Sequence, residues 1–268
     1  MNRSYLYVPG DRPDRFVKAA SSGADAVIVD LEDAVDERAK PQARVAVAAW
    51  LEETPPVEVW VRVNNRPELL ADDLTMVARS RAAGVVIPKA TPEACDATAV
   101  ATQALIETAA GVRALDRIAT HPRVVRLALG EADLCADLGV MPSADSRELW
   151  AIRSDVVVAS AAAGLEPPVG PAPTALDDDE ALERTSRQLR RQGFGGRSVL
   201  HPRQVATVNG AFMPGEEELD RARRLVTAHV EADGGPAVVD GTFVDSATVR
   251  LARRTLERAR ANPPEAPR

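Results

Sequence analysis

Cysteine is nearly absent. Cys95 and Cys135 are the only two in 268 residues, and they stand apart without CxxC spacing. That excludes a disulfide framework and a thiolate metal knot, and it leaves reduced, inert thiols in a chain expected to be cytoplasmic. No run reaches the roughly 18 uncharged apolar residues that a transmembrane helix requires. The opening MNRSYLYVPGDRPDRF carries no apolar h-region, so a secretory signal is not expected either. Positive charge is in deficit, with 33 Lys and Arg against 40 Asp and Glu, a net −7. This sign argues against non-specific partnership with nucleic acid or an anionic membrane, while a locally basic pocket could still take an anionic substrate. Several catalytic signatures are missing as well. There is no GxGxxG after the first apolar run, no HxH or HExxH, no GxSxG elbow, and no cysteine with a partner histidine.

What is present is an alternation. Apolar runs fall at Ser4–Val8, Ala26–Asp30, Glu58–Asn64, Val85–Ile87, Gln103–Glu107, Val124–Gly130 and Ser198–Leu200. Between them lie amphipathic helical stretches, among them Pro13–Ser22, Glu37–Glu53, Gly111–Thr120 and Ser146–Ala163. Strand–helix alternation with nearly continuous apolar strands predicts a parallel sheet covered by helices. Seven strands are plain, and an eighth is expected near Pro167–Pro173, where four prolines weaken it. Eight such units predict an α/β fold, a TIM (β/α)8 barrel, over residues 1–210. A C-terminal helical extension is expected over 211–268, with a long amphipathic helix, a VVDGTFV hairpin and a further helix, able to pack on a neighbouring subunit.

Polar residues gather just after the apolar runs: Asp11 and Arg12, then Asp30, Glu32 and Asp33, then Arg62 and Asn64, then Lys89, Glu107, Glu131, Asp133 and His201. In a barrel these positions converge on one mouth, where catalytic groups sit. Glu107 and Asp133 each follow an apolar strand directly. Two carboxylates with water and substrate would suit Mg²⁺; otherwise Glu107 partners a barrel cation and Asp133 caps a helix. Arg62 sits within VWVRVN, a run apolar on both faces, and its buried charge must meet an anion: either a ligand's carboxylate or enolate, or Glu107. Lys89 reads as a solvated structural residue, and His201 as a site residue or a cap.

The strings YLYVPGDRPDRF, VIVDLEDAV, VWVRVN, VVIPKA, ALIETAAG, LGEADLCADLG, SVLHPRQV and DGTFVDSATV resemble, in this order, those of citrate lyase β-subunit-like proteins, which include malyl-CoA and citramalyl-CoA lyases. The resemblance covers about Ser4 to Arg260. It implies a Mg²⁺-dependent lyase cleaving a 3-hydroxyacyl-CoA to acetyl-CoA and a 2-oxo acid. It further implies Glu107 and Asp133 as metal ligands, with Glu107 also beside the substrate. Arg62 would hold the substrate's carboxylate or thioester oxygen, Tyr7, Arg12 and Lys18 would meet CoA, and Asp245 would handle a proton in a neighbouring subunit of a homotrimer or hexamer. A malyl-CoA-type thioesterase and a metal-dependent 2-oxo-acid aldolase without CoA are the alternatives. The chain departs from the resemblance at Val169–Thr174, where no acidic residue stands, and at Glu131, two residues before Asp133.

Overall fold

Short apolar runs with charged or turn-forming flanks become strands, and in the computed structural model, which describes residues 2–261, eight of them pair in chain order. They are β1 Ser4–Pro9, β2 Ala26–Asp30, β3 Glu58–Arg62, β4 Gly84–Ile87, β5 Thr102–Ile106, β6 Val124–Leu129, β7 Glu166–Gly170 and β8 Gly196–Val199. Every pairing is parallel, and β8 returns to β1 through Ser4↔Arg197 to close the barrel. The connecting helices are α1 Phe16–Ala20, α2 Lys40–Glu52, α3 Pro67–Ala78, α4 Pro92–Asp96, α5 Ala109–Arg113, α6 Leu115–Ala119, α7 Glu131–Leu138, α8 Trp150–Ala162 and α9 Asp179–Gln192. The alternation thus forms the predicted TIM barrel.

Strand side chains alternate between faces. Tyr5, Ala26, Ile28, Trp60, Val86, Leu105, Ala128 and Val169 pack as one cluster, the filling of the barrel. Two residues further along, in the same register as Tyr5, Ile28, Trp60 and Leu105, come Tyr7, Asp30, Arg62 and Glu107. At the ends of β2, β3 and β5 the sequence therefore turns from apolar to charged without changing face, and this places the site.

β7 is the irregular strand. Pro167 and Pro168 bring no N–H to the ladder. Its pairing with β6 is reduced to Arg126↔Glu166 and Ala128↔Val169, with a register shift between them. Helical stretches read as continuous also break: the one expected over 111–120 is two helices meeting at Ala114 (φ −106°, ψ 10°). α7 is expected only as the helix that Asp133 would cap; it starts at Glu131 with Gly130 as N-cap, and its one buried residue, Leu134, gives it almost no periodicity.

Close packing divides the chain into two compact units, Asn2–Gly210 and the segment from Ala211 onward. In the second, α11 Glu216–Glu231 and α12 Ser246–Ala261 flank the hairpin of β9 Ala237–Val239 and β10 Thr242–Val244. α10 Gln204–Phe212 precedes them. Asp240 (φ 47°) and Gly241 (φ 72°) make the two-residue hairpin turn, whose positive φ angles suit an Asp-Gly pair. Ala222, Leu225, Val244, Val249 and Ala252 form that unit's small core. Among the described residues no helix is long and apolar enough to cross a membrane.

Candidate functional site

The charged cluster begins at Asp30, which lies in register opposite Arg62 on the adjacent strand. Arg62 Nε and Nη2 donate to the two Asp30 oxygens at 2.8 and 2.6 Å, a bidentate fork. The Asp30 carboxylate also accepts from the backbone N–H groups of Glu32 (2.9 Å) and Ala34 (3.0 Å), so it is fully engaged. Arg62 Nη1 lies 3.1 Å from Glu32 Oε2, and the guanidinium carbon sits 5.2 Å from the centre of the Tyr7 ring. Lys40, on the first turn of α2, runs back beneath this loop, its Nζ donating to the carbonyls of Leu31 (2.8 Å) and Glu32 (2.6 Å). The sequence left Arg62 a choice between Glu107 and a ligand; its partners are instead Asp30 and Glu32.

Lys89 links the two halves of the cluster. It is a non-glycine residue at φ 46°, a conformation that costs about 1–2 kcal/mol and is held by its surroundings. In that pose its backbone N–H donates to Glu107 Oε1 at 2.8 Å, while its Nζ reaches Glu32 Oε1 at 3.1 Å. Lys89 was expected to be a solvated structural residue; the structure brings it into the site. A left-handed backbone after VVIP leaves no mark in composition or periodicity.

Glu107 is 2% exposed, and its Oε2 receives no hydrogen bond among the described residues. Burial, opposed by the Lys89 N–H and reinforced by the charges of Glu32 and Asp133, pushes its carboxyl up to about 7. Gly130, whose N–H donates to Ile106 at 2.9 Å, lies alongside. A Cβ there would stand 2.6 Å from Glu107 Oε2, so only glycine leaves that oxygen its space. Gly130 opens α7, and Asp133 occupies its exposed first turn, where it caps nothing. Taken together, Asp30, Glu32 and Glu107 meet Arg62 or Lys89, and the charge of Asp133 bears on Glu107, four carboxylates against two cations.

A carboxylate oxygen without a donor on a buried side chain, in a cluster with two surplus negative charges, is chemistry that a hard dication satisfies. The donors are oxygens only, with no imidazole or thiolate nearby. Among the described residues no three His, Cys, Asp or Glu side chains gather as a complete metal cage. The pair Glu107 and Asp133 therefore fits Mg²⁺, which keeps several waters and takes one or two carboxylates. With Glu107 as a ligand the cation would displace its proton, so Mg²⁺ affinity should fall about tenfold per pH unit below about 7 and level off above it. Calorimetry between about pH 6 and pH 8 checks this, and an affinity constant across that range would contradict it. The same raised carboxyl means that the metal-free fold loses stability as pH rises through about 7.

The remaining expected residues are dispersed. Arg12 is exposed and forked onto Asp14 at 2.9 Å, and Lys18 is exposed on α1. Tyr7 turns inward against Arg62, where burial raises its hydroxyl pKa despite the guanidinium. His201 Nδ1 accepts from the Arg203 N–H at 3.2 Å, a turn-capping bond. In the second unit Asp245 caps α12, its Oδ1 accepting from the Thr248 N–H (2.8 Å) and hydroxyl (2.9 Å), and these bonds hold its carboxyl below the usual range. Asp30, Glu32 and Lys89 were seen in the sequence only as strand-end charges. The signal that could have promoted Asp30 and Glu32 is the two-residue step from Ile28, which puts Asp30 on the inner face beside Arg62.

A sequence profile described as HpcH/HpaI aldolase/citrate lyase matches residues 3–104 and 95–202. Over 272 residues the chain is 35% identical to a (3S)-malyl-CoA thioesterase of Cereibacter sphaeroides, covering 97% of this chain and 95% of that protein. Over 273 residues it is 34% identical to a citrate lyase subunit beta-like protein of Mycobacterium tuberculosis, covering 95% and 94%. Among solved structures, M. tuberculosis CitE in complex with magnesium, acetoacetate and coenzyme A superimposes with a TM-score of 0.86 at 32% identity, over 96% of this chain and 98% of that one.

Proposed function

We propose, for a chain that belongs to the HpcH/HpaI aldolase/citrate lyase family, that it is a Mg²⁺-dependent carbon–carbon lyase. Its substrate is a 3-hydroxyacyl-CoA of the citryl-, malyl- or citramalyl-CoA kind, cleaved to, or condensed from, acetyl-CoA and a 2-oxo acid. The observation that carries this reading is the buried Glu107 carboxylate with one open oxygen beside Asp133. When bound there, Mg²⁺ would supply Lewis-acid polarisation of the substrate oxygens.

The chain's own residues do the rest. Cleaving a C–C bond beside a thioester leaves an enolate, whose charge must be met by a cation already in place. Arg62 is that cation: Asp30 fixes Nε and Nη2, and Nη1, ion-paired with Glu32 Oε2 at 3.1 Å, would turn from that partner to the substrate's carboxylate or thioester oxygen. Lys89 ties Glu107 to Glu32 beside it. Asp245, kept ionised at neutral pH by its cap bonds, removes the acetyl proton in condensation and returns it to the enolate carbon in cleavage. In this reading it serves a neighbouring copy's barrel in a homotrimer or hexamer, with residues 211–268 as the delivering extension. Arg12 and Lys18, cationic and exposed ahead of β2, are proposed with Tyr7 to meet CoA.

Purified protein incubated with malyl-, citramalyl- and citryl-CoA should release a 2-oxo acid with Mg²⁺ and none after chelation. Release unaffected by chelation would reject the proposal. A second reading, hydrolysis of the thioester, is favoured by the 35% identity to a (3S)-malyl-CoA thioesterase; the same assay would then yield free CoA and an intact hydroxy acid.

A further inference from the structure

A cavity opens in the barrel unit on the outer side of β8, roofed by the loop after β7 and walled by α9. Its volume is about 380 Å³, within the ~300–1,000 Å³ of small-molecule sites. Its walls are largely apolar, with Pro171, Pro173, Leu182 and Leu189 among them. Two guanidiniums also line it, each 6% exposed: Arg153 from α8 and Arg197 from β8.

Their situations differ. Arg153 Nε and Nη2 fork onto Glu131 at 2.6 and 2.8 Å. Arg126, the third guanidinium as deeply buried, donates to Glu166 at 3.0 Å. Arg197 has no carboxylate partner among the described residues. Its Nε donates to the Pro171 carbonyl at 2.9 Å, and its Nη1 donates to the hydroxyls of Thr185 (2.7 Å) and Ser186 (3.0 Å). Nη2 has no acceptor among the described residues. Burial pulls this guanidinium down to about 10; Glu131 opposes that shift and Arg153 adds to it. An uncompensated buried cation is costly, and here it fronts an empty volume rather than packed side chains.

We infer that this cavity is an anion site, distinct from the Glu107–Asp133 pair, which binds a small monocarboxylate with its carboxylate on Arg197 Nη2 and its apolar body against the proline and leucine walls. The charge sets the class. Arg153 and Arg197 stand against Glu131 and Asp178, the latter exposed and accepting from the Ala181 N–H it caps, so no surplus charge is there to hold a dianion and the one open donor suits a monoanion better than phosphate. With Nε and Nη1 already committed, a single edge of the fork remains, enough for one carboxylate.

The test titrates propionate, with inorganic phosphate as comparator, into the full-length chain freed of divalent metal, by calorimetry or ligand-observed NMR. Propionate should bind at one site, and phosphate at least about tenfold more weakly. Binding should persist in Glu107→Gln, which removes a carboxylate from the mouth, and weaken at least about tenfold in Arg197→Met, a loss of about 1.4 kcal/mol or more. Should Arg197→Met fail to fold, Ala172→Phe fills the cavity from its roof and leaves the Arg197 hydrogen bonds in place; it should abolish binding equally. Propionate bound unchanged by Ala172→Phe, lost in Glu107→Gln, outcompeted by phosphate or not bound at all would overturn the assignment.

Discussion

Glu107→Gln and Asp133→Asn should each lower Mg²⁺-dependent release of 2-oxo acid by on the order of 10³-fold, because each removes one of two anionic oxygens from the metal pair. The two substitutions separate chemistry from folding. In Glu107→Gln the new amide oxygen can still accept from the Lys89 N–H that now bonds Glu107 Oε1 at 2.8 Å, so the strand end keeps its shape. Removing a carboxyl whose pKa is pushed up to about 7 by burial should leave metal-free Glu107→Gln as heat-stable as the parent or more so above that pH. Asp133 is exposed and caps nothing, so its replacement should be silent in a melting curve. Steady-state assays paired with thermal melts, each with and without Mg²⁺, read both halves. Activity within about tenfold of the parent in either variant would remove that residue from the metal pair.

Arg62→Met should fail on both counts at once. The side chain is 12% exposed and its carboxylate partners Asp30 and Glu32 are 2% and 6% exposed. Truncation would leave buried Asp30 with no cation, only its two backbone donors, and Glu32 with Lys89 alone, a loss of about 3–5 kcal/mol. For a chain this long that lowers the melting midpoint by on the order of 10 °C. Activity should fall further than the folded fraction, since the cation proposed to meet the enolate is gone. Arg62→Lys isolates the second effect: one ammonium can neutralise Asp30 but cannot reproduce the planar fork onto it together with the third edge that meets Glu32. It should recover most of the stability and little of kcat. A lysine variant with parental kcat would show that charge alone suffices and that the fixed guanidinium edge is not used.

How much of this was legible in the chain depends on which interaction carried each feature. The barrel was readable because burial on both faces forces continuous apolar runs, and because the two-residue period that fills the interior also delivers Asp30, Arg62 and Glu107 to the mouth. Glu107 and Asp133 stood out for the same reason, as acids placed directly after apolar strands. The partners were not readable. Arg62 choosing Asp30 over Glu107 follows from strand register, which no single strand encodes. Lys89 enters through a left-handed backbone, and α7 exists through capping geometry with a single buried leucine. Arg197 was passed over because a charged residue at the start of a four-residue strand reads as a flank. Only the hydroxyls of Thr185 and Ser186, brought over it by α9, show that it points outward under a helix.

The two prolines of β7 reach beyond local irregularity. A parallel barrel is a hoop stitched by amide ladders, and at β6–β7 most of the stitches are missing: two paired positions, separated by a slip, stand where β5–β6 has five. The other side of β7 is equally sparse, with two paired positions to β8, so the hoop has a seam on both sides of this strand. Breathing motions concentrate where the fewest hydrogen bonds must break, and the loop leaving this seam is the roof of the Arg197 cavity. The wall of the barrel that is easiest to part is thus the one through which a guest could enter its side chamber, with the remaining seven strands undisturbed.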